Sequence, residues 1–315
     1  MNTSIGLDGL DFTARDLQRP ECVLANARGE LFISDRRGGV MHIAADGAQT
    51  LIGGSTLIPN GIALLRDGSF AIANLSDEGG VWRLHRDGRV SPEVLEIAGR
   101  RLGSVNFVRT DSKGRLWICI STQRPGDNQF RRDIADGYIA LRDETGIRIL
   151  ATDICWTNEV WPDEANGVLY VNETYGRRLT RFDMAADGTL TNRVTLAEFG
   201  LGDYPDGIAL DEAGGIWVIS VASNRVWHMA RDGKPRIVIE DSDPARLQFL
   251  EDALEAKTLT RPMMHDTAGS ILRNISSIAL CGPDRRTALL GSLGGDRLGR
   301  FRAPAPGVKP VHWDW

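Results

Sequence analysis

The 315-residue chain has no long apolar run, no basic run, four cysteines and five histidines. Because no apolar stretch approaches the roughly 20 residues of a membrane-spanning helix, we expect no membrane partner. The net charge of −5 and the lack of a basic run exclude nucleic acid as the expected partner. Residues 1–12 lack a basic segment followed by an apolar one, so we expect no secretion signal and a cytoplasmic location.

The cysteines do not form a metal-binding or redox motif. Cys22, Cys119, Cys155 and Cys281 are far apart, and no Cys-x-x-Cys pair occurs. We therefore expect them to be small buried residues rather than partners in disulfides or ligands of zinc. The nucleophile elbow Gly-x-Ser-x-Gly and the phosphate-binding P-loop pattern are also missing from the sequence, which removes two common enzyme classes.

The sequence does contain a unit that occurs six times. Each unit has a small polar residue before a first apolar run, then a turn rich in Gly and Asp, and then a second apolar run. The second runs of the six units begin near residues 31, 70, 116, 169, 216 and 288. Such runs of β-branched and aromatic residues indicate strands. Four antiparallel strands at a period of about 40 to 50 residues are typical of a propeller blade. The sequence predicts an all-β, six-bladed β-propeller that forms one domain over residues 1–315.

Three stretches depart from the repeat. The sixth unit lacks a fourth strand, and we expect residues 10–13 to supply it and close the ring. Insert loops are predicted at about 121–137 and 241–270, and the second should contain a short helix capped by Asp243. The Pro-rich tail, residues 304–315, is expected to wrap the outside of the ring.

The first strand of a propeller blade lies nearest the central axis, so the polar residues that begin the six units should converge. These residues are Glu21, Asn60, Asn106, Asn158, Asp206 and Ser276. Four of them, Glu21, Asn106, Asn158 and Asp206, offer two carboxylates and two amide oxygens. An all-oxygen set favours Ca²⁺, Mg²⁺ or Mn²⁺, and four protein ligands leave positions open for water or substrate. The alternative is that each residue serves only a turn.

Substrate contacts are expected around this column. The candidates are Asn60, Asn106, Ser276, Trp156, Phe107 and His265. The aromatic residues Phe107, Trp156 and Trp161 lie close to the column in sequence, and they favour an apolar or aromatic small-molecule substrate. His265 belongs to the second insert, from which it could reach the mouth of the channel.

Several of these segments resemble a known family. Pro-Asp-Gly-Ile-Ala-Leu-Asp at 205–211, followed by Gly-Ile-Trp-Val at 215–218, is similar to the most recognisable element of the gluconolactonase, regucalcin and luciferin-regenerating-enzyme family. Glu21 after Pro20 and Asn158 after Thr157 match the other two metal-ligand positions of that family. Asn106 matches its accessory asparagine, and residues 274–284 resemble its last blade.

The resemblance implies a six-bladed propeller that binds a divalent cation, usually Ca²⁺, with Mg²⁺, Mn²⁺ or Zn²⁺ as alternatives. It implies that Glu21, Asn158 and Asp206 bind the ion and that Asn106 assists the ion or contacts the substrate. The implied activity is the hydrolysis of a lactone, in which Asp206 acts as general base or nucleophile beside a metal-polarised carbonyl.

Two positions depart from the family pattern, and other functions stay open. Glu159 stands where the family usually has Gly, and Ser104 stands where the sugar-lactone hydrolases have Arg, which argues against a sugar lactone. The same metal site could serve a phosphotriesterase, another ester hydrolase, a lyase or an isomerase. A ligand-binding propeller with a structural ion is the non-enzymatic alternative.

Overall fold

The computed structural model describes residues 4–124, 126, 129–230, 233–266 and 269–315. Their strands form six four-stranded antiparallel sheets and one additional two-stranded sheet. This arrangement confirms the predicted all-β propeller with six four-stranded blades. The insert loops predicted over 121–137 and 241–270 fall partly outside the described residues, at 125, 127, 128, 267 and 268.

The first three blades follow one another along the chain. Blade one contains β2 (Val23–Ala25), β3 (Leu31–Asp35), β4 (Gly39–Ile43) and β5 (Gln49–Gly53). Blade two contains β6 (Pro59–Leu64), β7 (Phe70–Asn74), β8 (Val81–Leu84) and β9 (Val90–Val94), and the hairpin of β10 (Glu96–Ile97) and β11 (Arg100–Arg101) follows it. Blade three contains β12 (Phe107–Thr110), β13 (Leu116–Ile120), β14 (Gly137–Asp143) and β15 (Gly146–Ile154).

The remaining blades continue the same order. Blade four contains β16 (Thr157–Asp163), β17 (Val168–Glu173), β18 (Arg178–Met184) and β19 (Leu190–Glu198). Blade five contains β20 (Pro205–Leu210), β21 (Ile216–Ser220), β22 (Arg225–Met229) and β23 (Pro235–Glu240). After α1 (Pro244–Glu255) and α2 (Arg261–His265), blade six contains β24 (Ile275–Cys281), β25 (Thr287–Ser292), β26 (Leu298–Arg302) and β1 (Asp11–Thr13).

The N-terminal strand closes the ring, as the sequence predicts. Strand β1 pairs with β26, and Phe12 lies opposite Gly299. The innermost strands β2, β6, β12, β16, β20 and β24 each contact the next one around the ring, and β24 returns to β2. Because these six strands surround one axis, their first residues lie at one end of a central channel.

A recurring hydrogen bond fixes the turns between the first two strands of blades three and five. Asp111 accepts a hydrogen bond from Trp117 Nε1 at 2.9 Å, and Asp211 accepts one from Trp217 Nε1 at 2.9 Å. Both tryptophans are fully buried. At Gly114 the φ angle of +75° is one that a side chain disfavours, so the tight turn after Asp111 requires glycine. The four cysteines are buried and free, as expected.

The C-terminal tail lies against the ends of the innermost strands. The backbone N–H of Val308 donates to Leu210 O at 2.8 Å in blade five, and that of Ala27 in blade one donates to Trp313 O at 2.7 Å. The tail therefore crosses from blade five to blade one over the end of the channel where β2 and β20 finish. It does not wrap the outside of the ring, because its apolar residues pack on the innermost strands instead.

Helix α1 begins where the sequence predicts. Asp243 caps it by accepting hydrogen bonds from the backbone N–H groups of Ala245 and Arg246. No helix in the described part of the chain has the length and apolar character that crossing a membrane requires.

Candidate active site at the channel mouth

Irregular pairing at the start of the innermost strands orients the polar side chains that begin the six units, which together form the polar column. In blades two, four, five and six the register between the first two strands shifts at the column residues, which are Asn60, Asn158, Asp206 and Ser276. A β-bulge bends a strand and redirects a side chain that would otherwise follow the regular alternation. Glu21 and Asn106 lie just before β2 and β12 and need no bulge, since they precede the paired residues.

Glu21, Asn60 and Asn106 form a hydrogen-bonded group across blades one to three. Asn60 Nδ2 donates to Glu21 Oε1 at 2.8 Å and to the backbone oxygen of Asn106 at 2.8 Å, and it also contacts Asn106 Oδ1. Arg19 Nη2 donates to Asn60 Oδ1 at 2.7 Å. Asn60 therefore holds one carboxylate oxygen of Glu21 in place and leaves Oε2 for another partner.

Asn158 and Asp206 meet from blades four and five. Asn158 Nδ2 donates to Thr174 Oγ1 at 2.9 Å, and Thr174 Oγ1 donates in turn to the backbone oxygen of Pro205 at 2.8 Å. Asn172 Nδ2 donates to the backbone oxygen of Asp206 at 2.9 Å. These contacts fix the amide of Asn158 with its oxygen directed away from Thr174 and hold the backbone that carries the Asp206 carboxylate.

Three oxygens of this group have no hydrogen-bond donor. Glu21 Oε2, Asn158 Oδ1 and Asp206 Oδ1 are each buried and unpartnered within the described residues. Buried polar atoms in folded proteins nearly always have a partner, and a cation bound here would give one to all three oxygens. Two carboxylate oxygens and one amide oxygen form a hard donor set that fits Ca²⁺, Mg²⁺ or Mn²⁺. The residues present therefore fit a divalent ion.

Electrostatics point to the same conclusion. Burial raises the pKa of Glu21 to about 7, and the charge of Arg19 and the Asn60 hydrogen bond lower it only in part. The pKa of Asp206 is raised well above its usual value by burial first, and then by the negative charges of Glu21 and Glu159. Two carboxyl groups that repel each other in a buried place are the pattern that a bound cation relieves.

The oxygens lie at the floor of a cavity of about 1030 Å³, which Asn60 and Asn106 also line. Trp156, Tyr175 and Phe130 form an aromatic wall, in which the ring centroids of Trp156 and Tyr175 are 4.9 Å apart and those of Trp156 and Phe130 are 5.3 Å apart. Trp156 has a φ of +66°, which is rare for a bulky residue and marks a locally strained backbone. His265 reaches the cavity from α2, and its pKa is lowered to about 4, chiefly by burial.

The structure does not bring Phe107 and Ser276 to this cavity. Ser276 is fully buried, and its hydroxyl donates to the backbone oxygen of Glu21 at 3.0 Å, so it supports the column from beneath. Phe107 packs against Gly61, where a Cβ would lie 2.4 Å from the Phe107 ring. Phe107 and Trp161 line a separate cavity of about 190 Å³, farther along the innermost strands beside the C-terminal tail. Residues next to the column alternate between strand faces, which explains both placements.

Comparison with known proteins agrees with this architecture. The family model described as "SMP-30/Gluconolactonase/LRE-like region" matches residues 71–241, which is more than half of the chain. The chain belongs to this family. The matched segment contains Asn106, Asn158 and Asp206, while Glu21 lies before it.

Solved structures of the family share the fold at low sequence identity. A calcium-binding protein, regucalcin, from Agrobacterium tumefaciens is 17% identical over 100% of both chains with a TM-score of 0.70. A luciferin-regenerating enzyme is 16% identical over 97% of this chain and 99% of its own, with a TM-score of 0.71. A gluconolactonase from Xanthomonas campestris is 21% identical over 92% of this chain and 88% of its own, with a TM-score of 0.66.

Within the family frame, this chain adds charged groups that the sequence did not assign to the site. Glu159 is buried next to the column with its pKa raised to about 8, mainly by burial, and Arg109 Nη2 lies 3.8 Å from its carboxylate. Arg19 and Arg261 also line the cavity. Two of these four residues had a signal in the sequence: Arg19 lies two residues before Glu21, and Glu159 stands where the family usually has Gly.

Proposed function

We propose that this protein is a divalent-cation-dependent hydrolase that opens a lactone, with Ca²⁺ as the ion. The observation that carries the proposal is the set of three unpartnered buried oxygens, Glu21 Oε2, Asn158 Oδ1 and Asp206 Oδ1, beneath a cavity large enough for a small-molecule substrate. Membership of a family that includes gluconolactonases supports the activity, and the relative described as a calcium-binding protein supports the ion.

The residues that would hold the ion are Glu21, Asn158 and Asp206. Asn106 stands beside them, with its amide nitrogen 3.5 Å from the backbone oxygen of Thr157, and it assists the ion or contacts the substrate. When bound, the ion supplies positive charge where negative charge develops on the carbonyl oxygen of an ester.

Asp206 is the proposed general base. With one carboxylate oxygen directed to the ion, the other would accept a proton from the water that attacks the ester carbonyl. The new C–O bond forms from that water, the ring C–O bond breaks, and the proton passes to the leaving alkoxide, which gives a hydroxy acid. General-base assistance of this kind is typically worth about 10²- to 10⁴-fold in rate.

The substrate lies between the floor and the aromatic wall. Trp156 and Phe130 offer ring faces to a planar or apolar group, whereas Ser104 occupies the position at which sugar-lactone hydrolases carry an arginine. We therefore propose an aromatic or apolar lactone rather than a sugar lactone.

The test is hydrolysis of a lactone panel by protein that has been treated with EGTA and then supplied with CaCl₂, MgCl₂ or MnCl₂. We expect turnover of aromatic lactones to depend on the added ion and to fall at least about 100-fold in Asp206→Asn. Asp87→Asn, at a largely exposed carboxylate on blade two, is the matched control. Full turnover in excess chelator, or near-normal turnover by Asp206→Asn, would refute the proposal.

A further inference from the structure

The charged side chains that line the cavity would leave it with a net positive charge once a divalent ion is bound. Among the described residues that line it, five are arginines and five are carboxylates. Two of the carboxylates are Glu21 and Asp206, which a divalent ion would neutralise. The loaded cavity would then have an excess of two positive charges, which an anionic ligand would balance.

Four of these arginines form no ion pair within the described residues: Arg19, Arg100, Arg101 and Arg261. Of these, Arg19 contacts the column at Asn60, and Arg261 lies beside the aromatic wall at Phe130. Arg19 donates only to neutral oxygens, at Asn60 Oδ1 and at the backbone of Pro59, where the distance is 3.4 Å. Arg261, the first residue of α2, lies with its guanidinium 5.7 Å from the ring centroid of Phe130. In the part of the chain that the structure describes, neither forms an ion pair, whereas Arg124 at the same cavity lies 3.7 Å from Asp136.

Arg19 and Arg261 act on the same part of the cavity. Both line the cavity together with His265, whose pKa is lowered by burial first and then by the charges of Arg19 and Arg261. Burial raises the pKa of Tyr175 on the aromatic wall, and the charge of Arg261 opposes part of that rise. His265 is therefore neutral at pH 7 and adds no positive charge to the two guanidinium groups. Two guanidinium groups that repel each other in a partly enclosed place are costly to keep unless an anion joins them.

We propose that the substrate of this site is an aromatic lactone bearing a carboxylate, which Arg19 and Arg261 bind while the aromatic ring lies against Trp156. This inference rests on the proposed hydrolase function. The planar guanidinium fork suits a carboxylate, with which it forms short charge-assisted hydrogen bonds. The substrate carboxylate is distinct from the one that ring opening creates, because the latter forms at the floor of the cavity beside Asp206.

The first experiment compares phthalide with carboxyphthalide, a matched pair of neutral and anionic aromatic lactones. We expect wild-type protein with CaCl₂ to prefer the carboxylated lactone in kcat/KM. The preference should fall at least about tenfold in Arg261→Gln and recover in part in Arg261→Lys, with the change mainly in KM. Arg89→Gln, at an exposed arginine of blade two outside the cavity, is the control. No preference in the wild type, or an unchanged preference in Arg261→Gln, overturns the inference.

A second experiment separates this inference from the proposed function. If no lactone is hydrolysed, the hydrolase proposal fails, but the arginine pair is still tested by equilibrium binding of benzoate and its neutral isostere benzamide, followed by tryptophan fluorescence. We expect benzoate to bind more tightly than benzamide, both in samples with CaCl₂ and in separate samples with EGTA. The affinity for benzoate should fall at least about tenfold in Arg19→Gln and in Arg261→Gln. Binding that disappears with the ion and ignores both substitutions would place the anion on the ion and overturn the inference.

Discussion

Replacing Asp206 with Asn should stabilise the ion-free protein while it removes activity. Asn has nearly the same shape as Asp but carries no charge. In the ion-free protein the pKa of Asp206 is raised well above its usual value, by burial first and then by the charges of Glu21 and Glu159. A carboxyl group whose pKa is raised by folding contributes stability that is present below its unfolded pKa near 4 and is lost as the pH rises through the folded value.

Glu21 gives the scale of the effect. Its pKa rises from 4.5 to about 7, and each unit corresponds to about 1.4 kcal/mol, so its contribution to the free energy of unfolding falls by about 3 kcal/mol between pH 4 and pH 8. Asp206→Asn removes a second group with a shift of the same sign and also its repulsion of Glu21. We expect the free energy of unfolding of ion-free Asp206→Asn to exceed that of the ion-free wild type by about 1 to 3 kcal/mol at pH 8, and by less at pH 5.

Calcium should reverse this order. A ligand at 100 times its Kd stabilises the folded state by about 2.7 kcal/mol, and the wild type gains this contribution through Asp206 whereas Asp206→Asn loses most of it. Urea unfolding followed by circular dichroism measures the free energy of unfolding of both proteins under four conditions, at pH 5 and pH 8 with EGTA or with CaCl₂. Asp87→Asn controls for surface charge. An ion-free Asp206→Asn that is less stable than the wild type at pH 8 and still gains stability from calcium would refute the reasoning.

Three further outcomes are expected. Trp156→Ala should raise KM for an aromatic lactone about tenfold with a smaller change in kcat, measured by steady-state kinetics, because the wall contacts substrate in both ground and transition states. His265→Gln should leave the shape of the pH–rate profile between pH 5.5 and 8 unchanged, since the pKa of His265 is about 4 and the group is already neutral there; loss of a titration step in that range would contradict this. Asp111→Ala should lower the free energy of unfolding by about 3 to 5 kcal/mol in urea, because it strands Arg115 Nε and Trp117 Nε1, each within 2.9 Å of Asp111. A cost below about 1 kcal/mol would show that these partners find water instead.

The repeat made the architecture predictable because every blade is built by the same local rule. A polar residue, an apolar run and a turn such as the one at Gly114 recur, so six weak signals reinforce one another. The same reasoning brought Glu21, Asn158 and Asp206 to one end of the channel, and the structure places their unpartnered oxygens there. Their roles as ligands stay predictions that the ion titrations test.

Placement beside the column could not be read from sequence distance. Phe107 follows Asn106 directly, yet it faces the other side of β12 and packs on Gly61. Ser276 occupies the column but turns its hydroxyl to the backbone of Glu21. Both outcomes depend on the strand face and on bulges at single residues, which follow from how neighbouring blades approach and not from the repeat itself.

Arg261 could not be found from the sequence at all. It lies in an insert whose path over the cavity is set by the packing of α1 and by contacts from Asn274, whose Nδ2 donates to the backbone oxygen of Met264 in α2 at 2.9 Å. Arg19 precedes the column by two residues, but its φ of +52° turns it back toward Asn60. The sequence repeat does not indicate either feature, because the conformation of loops and of left-handed residues depends on local packing.

The repulsion between the two buried carboxylates of the site is held in check by the closed ring. Glu21 comes from blade one and Asp206 from blade five, and the buried charges of the two repel each other. In an open structure that repulsion would drive the two elements apart. Here β1 is paired with β26 and the tail joins blade five to blade one, so the strands that carry the two carboxylates are fixed by contacts far from them. Glu21, Asn158 and Asp206 would hold an ion between blades one, four and five, which would offset the repulsion of the two carboxylates. Ion binding should then stabilise the whole propeller rather than one blade.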